Sequence, residues 1–298
     1  MAGPNPFSTA HVSVEYFPPK GLSAERSLLT GAHALRRFKP SFQTITFGAG
    51  GTGTEGALEW STQLQNLNEV PTASHLALCH FTSPQEVRDF VAHLWELNIH
   101  RLVLLRGDVA DGAGDGLAGY ESVAHAVRDI TEQHGFDISV AAYPEVHPKA
   151  GSLEDDLAVL KAKQDAGADR AITQYFFDNS DFYRFCEQAR ANDIRIPIVP
   201  GVIPIANFER IKDFSRKCAA SVPAHFEELF AKAGDDKAAH TDVAGSIIEE
   251  QVRDLAQNGV DQLHIYSLNR VDLTADAIRA FQAEFEGDEE EFRPALAG

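Results

Sequence analysis

Eight times along this chain a short β-type apolar run gives way to a stretch with helical spacing, and few folds accommodate that rhythm. The runs are HVSVEYF (11–17), FQTITFG (42–48), SHLALCH (74–80), RLVLLRG (101–107), DISVAAYP (137–144), RAITQYFF (170–177), IPIVPGVIP (196–204) and QLHIYSLN (262–269). Between them apolar residues recur three or four apart, as in Val87, Phe90, Val91, Leu94 and Trp95, or Leu153, Leu157 and Leu160. Capping signals mark the helix starts: Ser83 precedes Pro84 and stands three before Glu86, and Ser152 has Asp155 three residues on. Glycines mark the ends, in Ala166-Gly167-Ala168 and Asn258-Gly259. Runs apolar enough to be buried on both faces argue for a parallel sheet. Eight strand–helix units close a barrel, whose usual size is about 250 residues. The expected fold is therefore α/β, a (β/α)8 TIM barrel over residues 1–286, with extra helices in 205–258 before the last strand. The acidic segment GDEEEFRPALAG (287–298) reads as a disordered tail.

Composition narrows the partners. No run of about 18 apolar residues exists, so no membrane-spanning helix is expected. The opening MAGPNPFSTA lacks the basic and apolar regions of a secretory signal. Cys79, Cys186 and Cys218 read as ordinary thiols of a reducing cytoplasm. With 26 basic against 44 acidic residues, the net charge of −18 repels a polyphosphate backbone, and no basic stripe overrides it. Nucleic acid is not an expected partner, and an anionic ligand needs a local device such as a helix N-terminus or a placed arginine.

In a (β/α)8 barrel the chemistry sits at the C-terminal ends of the strands. There fall Glu15, Thr46, His75, Arg106-Gly107-Asp108, Tyr143 through His147, Gln174 and Asn269-Arg270. Other signals are decoys. Gly48-Ala-Gly-Gly-Thr-Gly53 satisfies the dinucleotide-binding pattern G-x-G-x-x-G, but eight units in a row fit a barrel better, and the run reads as a flexible loop over the active site. The stretch Asp108–Gly116 lacks the spacing and terminal Glu of a calcium loop. Neither His75 with His80 nor Glu145 with His147 makes a metal set. No arrangement suggests covalent nucleophilic catalysis.

The segments SVEYFPP (13–19), LLRGD (104–108), SVAAYPEVHP (139–148), DAGADRAITQYFFD (165–178) and SLNR (267–270) together resemble the methylenetetrahydrofolate reductase family. The likeness runs in order from about residue 11 to residue 272. It implies an FAD-containing barrel that passes hydride from NAD(P)H to methylenetetrahydrofolate through the flavin. It also implies a homo-oligomer, and the short microbial form without the regulatory domain of longer relatives. For the flavin, the resemblance points to Thr46, Phe47, Ala49, His75, Arg106, Gly107, Asp108, Tyr143, His147, Ala150, Asp156 and Lys163. Asp156 and Lys163, seven apart, share one side of a helix. Some relatives carry further polar or basic residues where this chain has Val159 and Ala162, and a glutamine where it has Arg210.

Roles follow from the same likeness. Glu15 would be the acid that protonates the folate N10 and opens the five-membered ring to an N5 iminium. Val14, Tyr16 and Phe17 surround it in sequence, an apolar frame expected to raise its pKa by desolvation. Asp108 would lie between flavin and pterin, favouring the cationic iminium. Gln174 offers an amide donor and acceptor to the pterin and, in turn, the nicotinamide. Phe214 would stack on either substrate, and Arg270 would fork onto the substrate's glutamate carboxylates. The competing readings are a non-catalytic flavin- or folate-binding barrel and a barrel enzyme using NAD(P)H directly. Binding alone needs no general acid, and the chain has Glu15, Asp108 and Gln174 together.

Overall fold

The computed structural model describes residues 9–46, 54–109 and 114–286. Phe47, Ala49, the glycine-rich run 48–53, residues 110–113 and the segment 287–298 lie outside them, with the expectations placed there.

Nine strands, all parallel where paired, form one sheet: β1 (His11–Tyr16), β2 (Phe42–Ile45), β3 (Thr72–Ala77), β4 (Arg101–Leu105), β5 (Asp137–Ala142), β6 (Arg170–Thr173), β7 (Ile198–Val199), β8 (Gly201–Val202) and β9 (Gln262–Tyr266). The order is β7-β6-β5-β4-β3-β2-β1-β9-β8. Its two ends, β7 and β8, are halves of the single run 198–202, parted at Pro200. The expected eight strands are thus present, with the seventh broken where proline has no N–H to give to a ladder. The break is bridged from both sides. The Pro200 carbonyl accepts from the His264 N–H at 3.0 Å, and the Gly201 N–H donates to Thr173 Oγ1 at 2.9 Å. A Cβ at Gly201 would fall 2.3 Å from the Thr173 carbonyl oxygen, so only glycine lets the chain close here.

Ten helices of the described residues surround the sheet: α1 (Leu22–Leu35), α2 (Thr54–Asn68), α3 (Pro84–Glu96), α4 (Val123–Gln133), α5 (Leu153–Asp165), α6 (Asn179–Ala191), α7 (Phe208–Cys218), α8 (Ala224–Ala233), α9 (Lys237–Gln257) and α10 (Val271–Ala283). The capping signals hold. Ser83 accepts from the Glu86 N–H, Ser152 from the Asp155 N–H, and Gly167 and Gly259 turn the chain at φ of +110° and +87°. The insertion before β9 is α7, α8 and α9, with its own apolar cluster around Phe208, Phe226, Phe230 and Leu273. None of the described helices is long and apolar enough to cross a membrane.

Alternation along each strand sorts the side chains. On β1, Val12, Val14 and Tyr16 pack in the large cluster between sheet and helices. Ser13 and Glu15 therefore face the barrel axis. Likewise Leu263 and Ile265 of β9 join that outer cluster, leaving His264 and Tyr266 inside. Phe42, Ala73, Val103, Ile172 and Val199 fill a layer of the interior. Near the N-terminal mouth, Arg101 pairs with Asp137 at 2.7 Å, Arg170 grips the same carboxylate, and both guanidinium groups lie over the Phe42 ring.

Candidate functional site

At the C-terminal ends of the strands opens a cavity of about 410 Å³, within the size range of small-molecule sites. Glu15, Thr46, His75, Gly107, Asp108, Tyr143, Gln174 and Phe214 line it, joined by His264 and Tyr266. Six separate strands or their ends supply the first seven, and α7 supplies the phenylalanine.

Glu15 is buried, and its surroundings differ from those expected. Its sequence neighbours Val14 and Tyr16 point to the opposite face, as alternation on a strand requires. What faces the carboxylate is a pair of imidazoles: His75 Nε2 at 3.1 Å and His264 Nε2 at 3.4 Å, both against Oε2. Burial pushes the Glu15 carboxyl up, but the two histidines more than reverse it and hold it at about 2. The desolvated, raised carboxyl expected from sequence is corrected to one held down by charge and hydrogen bonding. The β1 seam is anchored beside it. The Ser267 N–H and hydroxyl both donate to the Glu15 carbonyl, and Asn269 exchanges two 3.0 Å hydrogen bonds with the Phe17 backbone. That is the local work of the SLNR segment, whose Leu268 and Asn269 take left-handed φ of 49° and 57°.

Gly107 explains the RGD end of β4. Its φ is +85°, and a Cβ there would stand 2.3 Å from Cys79 Sγ, so no side chain fits. The turn presents Asp108, exposed, at the cavity wall. Its charge reaches inward: after burial, it is the chief influence raising the Cys79 thiol.

The Gln174 side chain is half committed. Its Oε1 accepts from the Tyr175 N–H at 3.0 Å, which leaves the amide NH2 as its free donor toward the cavity. Phe214 stacks on Tyr175 at 5.8 Å between centroids yet is 42% exposed, so it is a rim platform and not core. Among the described residues, Thr46 Oγ1 is a further polar atom buried without a hydrogen-bond partner. Orphaned polar atoms facing a cavity mark where a ligand's polar edge would fit.

The YPEVHP loop is held from several sides. Glu145 accepts from the Ser221 N–H at 2.9 and 3.0 Å, Asp156 Oδ2 accepts from the His147 N–H, and Val146 sits at φ +69°, strained for a β-branched residue. His147 Nδ1 accepts from the Lys149 N–H at 3.0 Å, leaving Nε2 as the ring's outward donor. The Ala150 N–H closes the loop onto the His147 carbonyl. Arg106 projects from the end of β4 with Nε near the Gly107 carbonyl. Arg270, which caps α10, lies outside the cavity wall, and its fork is engaged by Asp272 at 2.7 and 3.1 Å.

Lys163 is buried, with Nζ donating to the Ala141 carbonyl at 2.9 Å. Burial brings its ammonium down to about 8, with Asp156 pulling the other way. Its folded pKa lies below the unfolded one, so between these values the unfolded chain binds more protons and stability rises with pH. Denaturation midpoints of wild type and Lys163→Met, measured from pH 7 to 10, should show wild type gaining on the variant by on the order of 3 kcal/mol above pH 8. A constant difference would place the ammonium in water.

Ser13 and His264 were not among the residues singled out from sequence. They come from opposite ends of the chain, and only the β1–β9 register, Ser13 beside His264 and Glu15 beside Tyr266, brings them together. Period-2 reading of QLHIYSLN, with Leu263 and Ile265 outward, is the signal that puts His264 inside.

The family model described as methylenetetrahydrofolate reductase matches residues 7–281. A 5,10-methylenetetrahydrofolate reductase of Pectobacterium carotovorum subsp. carotovorum is 36% identical over 266 residues, 89% of this chain and 87% of the relative. That of Escherichia coli (strain K12) is 34% identical over 264 residues, 89% of this chain and 88% of the relative. Among solved structures, an uncharacterized protein from Clostridium thermocellum, described as binding two copies of 5-methyl-5,6,7,8-tetrahydrofolic acid, superposes with a TM-score of 0.63 at 15% identity. The match covers 93% of this chain and 96% of that one, and it shows the shared fold.

Proposed function

This chain belongs to the methylenetetrahydrofolate reductase family, and from that premise we propose that it reduces 5,10-methylenetetrahydrofolate to 5-methyltetrahydrofolate, with FAD as cofactor and NAD(P)H as donor. The observation that carries the reading is the convergence of Glu15, Asp108 and Gln174 on one cavity at the catalytic end of the barrel.

The residues present fit a flavin. Among the described residues, Thr46 Oγ1 is a buried polar atom in need of a partner, and it lines the cavity together with Gly107, Asp108 and Tyr143. Arg106, Gly107, Asp108, Tyr143, His147, Ala150, Asp156 and Lys163 would complete its binding, with the outward Nε2 donor of His147 serving its polar groups and Lys163 bracing the β5 end from behind through the Ala141 carbonyl. When bound, FAD supplies a carrier that accepts two electrons from one substrate and yields them to the other.

The protein's own groups then do the following. Glu15 gives a proton to N10 of the folate, breaking the bond from N10 to the bridging carbon and leaving the N5 iminium. The Asp108 carboxylate stabilises that cation electrostatically. Gln174 directs its amide donor to the pterin, and Phe214 offers a stacking face. Arg270 holds a glutamate carboxylate of the substrate, in competition with Asp272.

The test is anaerobic mixing of the purified protein with NADH and then with methylenetetrahydrofolate, following the flavin spectrum. A yellow protein bleached by the first and restored by the second is the expected result. A colourless protein, or one the folate leaves bleached, overturns the reading. One cavity and one Gln174 serving both substrates also predict parallel double-reciprocal plots of steady-state rate. Intersecting lines would require two sites.

A further inference from the structure

Two imidazoles that bear charge and donate to Glu15 hold its carboxyl at about 2 and leave it no proton at neutral pH, yet the proposed reaction asks Glu15 to give one up in every turnover. We propose that Ser13 fixes His264 in the tautomer with its proton on Nδ1, so that the bare Nε2 accepts the proton of Glu15 and keeps it available on the carboxyl. This inference rests on the reading of Glu15 as the acid.

The geometry runs as a chain through the barrel interior. Ser13 Oγ stands 2.8 Å from His264 Nδ1 and 3.3 Å from the Leu263 carbonyl oxygen. A hydroxyl has one proton to give and lone pairs with which to accept. If it donated to Nδ1, the Leu263 contact would be two oxygens with no proton between them. Both contacts are satisfied only when the hydroxyl donates to Leu263 and Nδ1–H donates to the hydroxyl. In the buried ring with its proton on Nδ1, the other nitrogen, Nε2, is left bare. That nitrogen stands 3.4 Å from Glu15 Oε2. Two lone pairs cannot face one another stably, and in the proposed arrangement the proton between them is carried by the carboxyl, which donates it to Nε2.

The other groups facing Glu15 suit this arrangement. His75 comes from β3, with its Nε2 3.1 Å from the same oxygen and no other partner, and can donate where His264 accepts. Tyr266 comes from β9, but its hydroxyl is committed to the Thr173 carbonyl at 2.7 Å. The tautomer of His264 is therefore the variable that decides where the proton lies. The proton balance is simple: Glu15 loses one proton to the folate nitrogen and regains one from water, and His264 gains and loses none.

Ser13 and His264 act through Glu15 and are positioning residues, so the test reads the ring itself as well as the rate. Nitrogen-15 NMR of histidine-labelled protein at pH 7, with His264→Gln used to assign the signals, should show His264 neutral with the proton on Nδ1. Ser13→Ala should bring in the Nε2–H form, which donates to a carboxylate and holds Glu15 ionised. Folate reduction needs the protonated acid and falls as pH rises through its pKa. The falling limb should therefore move to lower pH in Ser13→Ala, and the folate half-reaction at pH 7 should slow roughly tenfold. Flavin reduction by NAD(P)H should be unchanged, and Ser13→Thr, which keeps the hydroxyl, should restore both tautomer and pH profile. A wild-type His264 protonated on Nε2, alone or as the imidazolium, overturns the proposal, as does a Ser13→Ala protein with an unmoved limb. A wild-type protein that cannot reduce the folate at all would instead overturn the functional reading, and the NMR result would still decide the tautomer.

Discussion

Glu15→Gln is expected to leave flavin binding and flavin reduction by NAD(P)H nearly intact while slowing folate reduction by about 10³-fold, within the range for removal of a general acid. Glutamine keeps the size of the side chain and offers an amide donor and a carbonyl acceptor to the His264 and His75 nitrogens, so the cavity should hold its shape. It cannot supply a proton to N10. The loss should therefore fall on the half-reaction that opens the folate ring and spare the one that does not. Stopped-flow measurement of each half-reaction separately is the check. A loss of more than about tenfold in the NAD(P)H half-reaction would make Glu15 a structural carboxylate, there to satisfy two buried imidazoles.

Where the sequence could be read and where it could not follows from how local each feature is. The strands were legible because each carries its own burial pattern, and the caps because Ser83 and Ser152 act within three residues of themselves. Even the break at Pro200 is local, though its bridging by Thr173 and His264 is not. The cavity wall was legible in outline, since in a parallel barrel every strand ends at the same mouth. The environment of Glu15 was misread because adjacent residues on a strand face opposite ways. Val14 and Tyr16 belong to the outer core, and the groups that set the carboxyl's ionisation come from residues 75 and 264. Arg270 shows the converse, a partner two residues away whose grip depends on the turn entering α10. The exposure of Phe214, by contrast, becomes visible only once α7 is docked beside Tyr175.

Asp108→Asn is expected to separate two effects that share one charge. The carboxylate stands exposed at the β4 turn, held there by a backbone conformation that only glycine at 107 allows. Its field is already felt by half-buried neighbours: after burial itself it raises the thiols of Cys79 and Cys218, and after burial and Asp156 the phenol of Tyr143. A negative charge in that place should disfavour added electrons on a bound flavin and favour a cation on the folate. Asparagine keeps the shape and a hydrogen-bonding group while removing the charge. The flavin potential should then rise, making reduction by NAD(P)H more favourable at equilibrium. Folate reduction should slow by about 10²-fold or more, the scale of losing one electrostatic stabiliser. Opposite movements in the two half-reactions are the signature of charge. A variant with an unchanged or lower potential, or with both half-reactions slowed equally, would show that Asp108 acts through position alone. Potentiometric titration of the flavin beside stopped-flow rates for each substrate distinguishes the two.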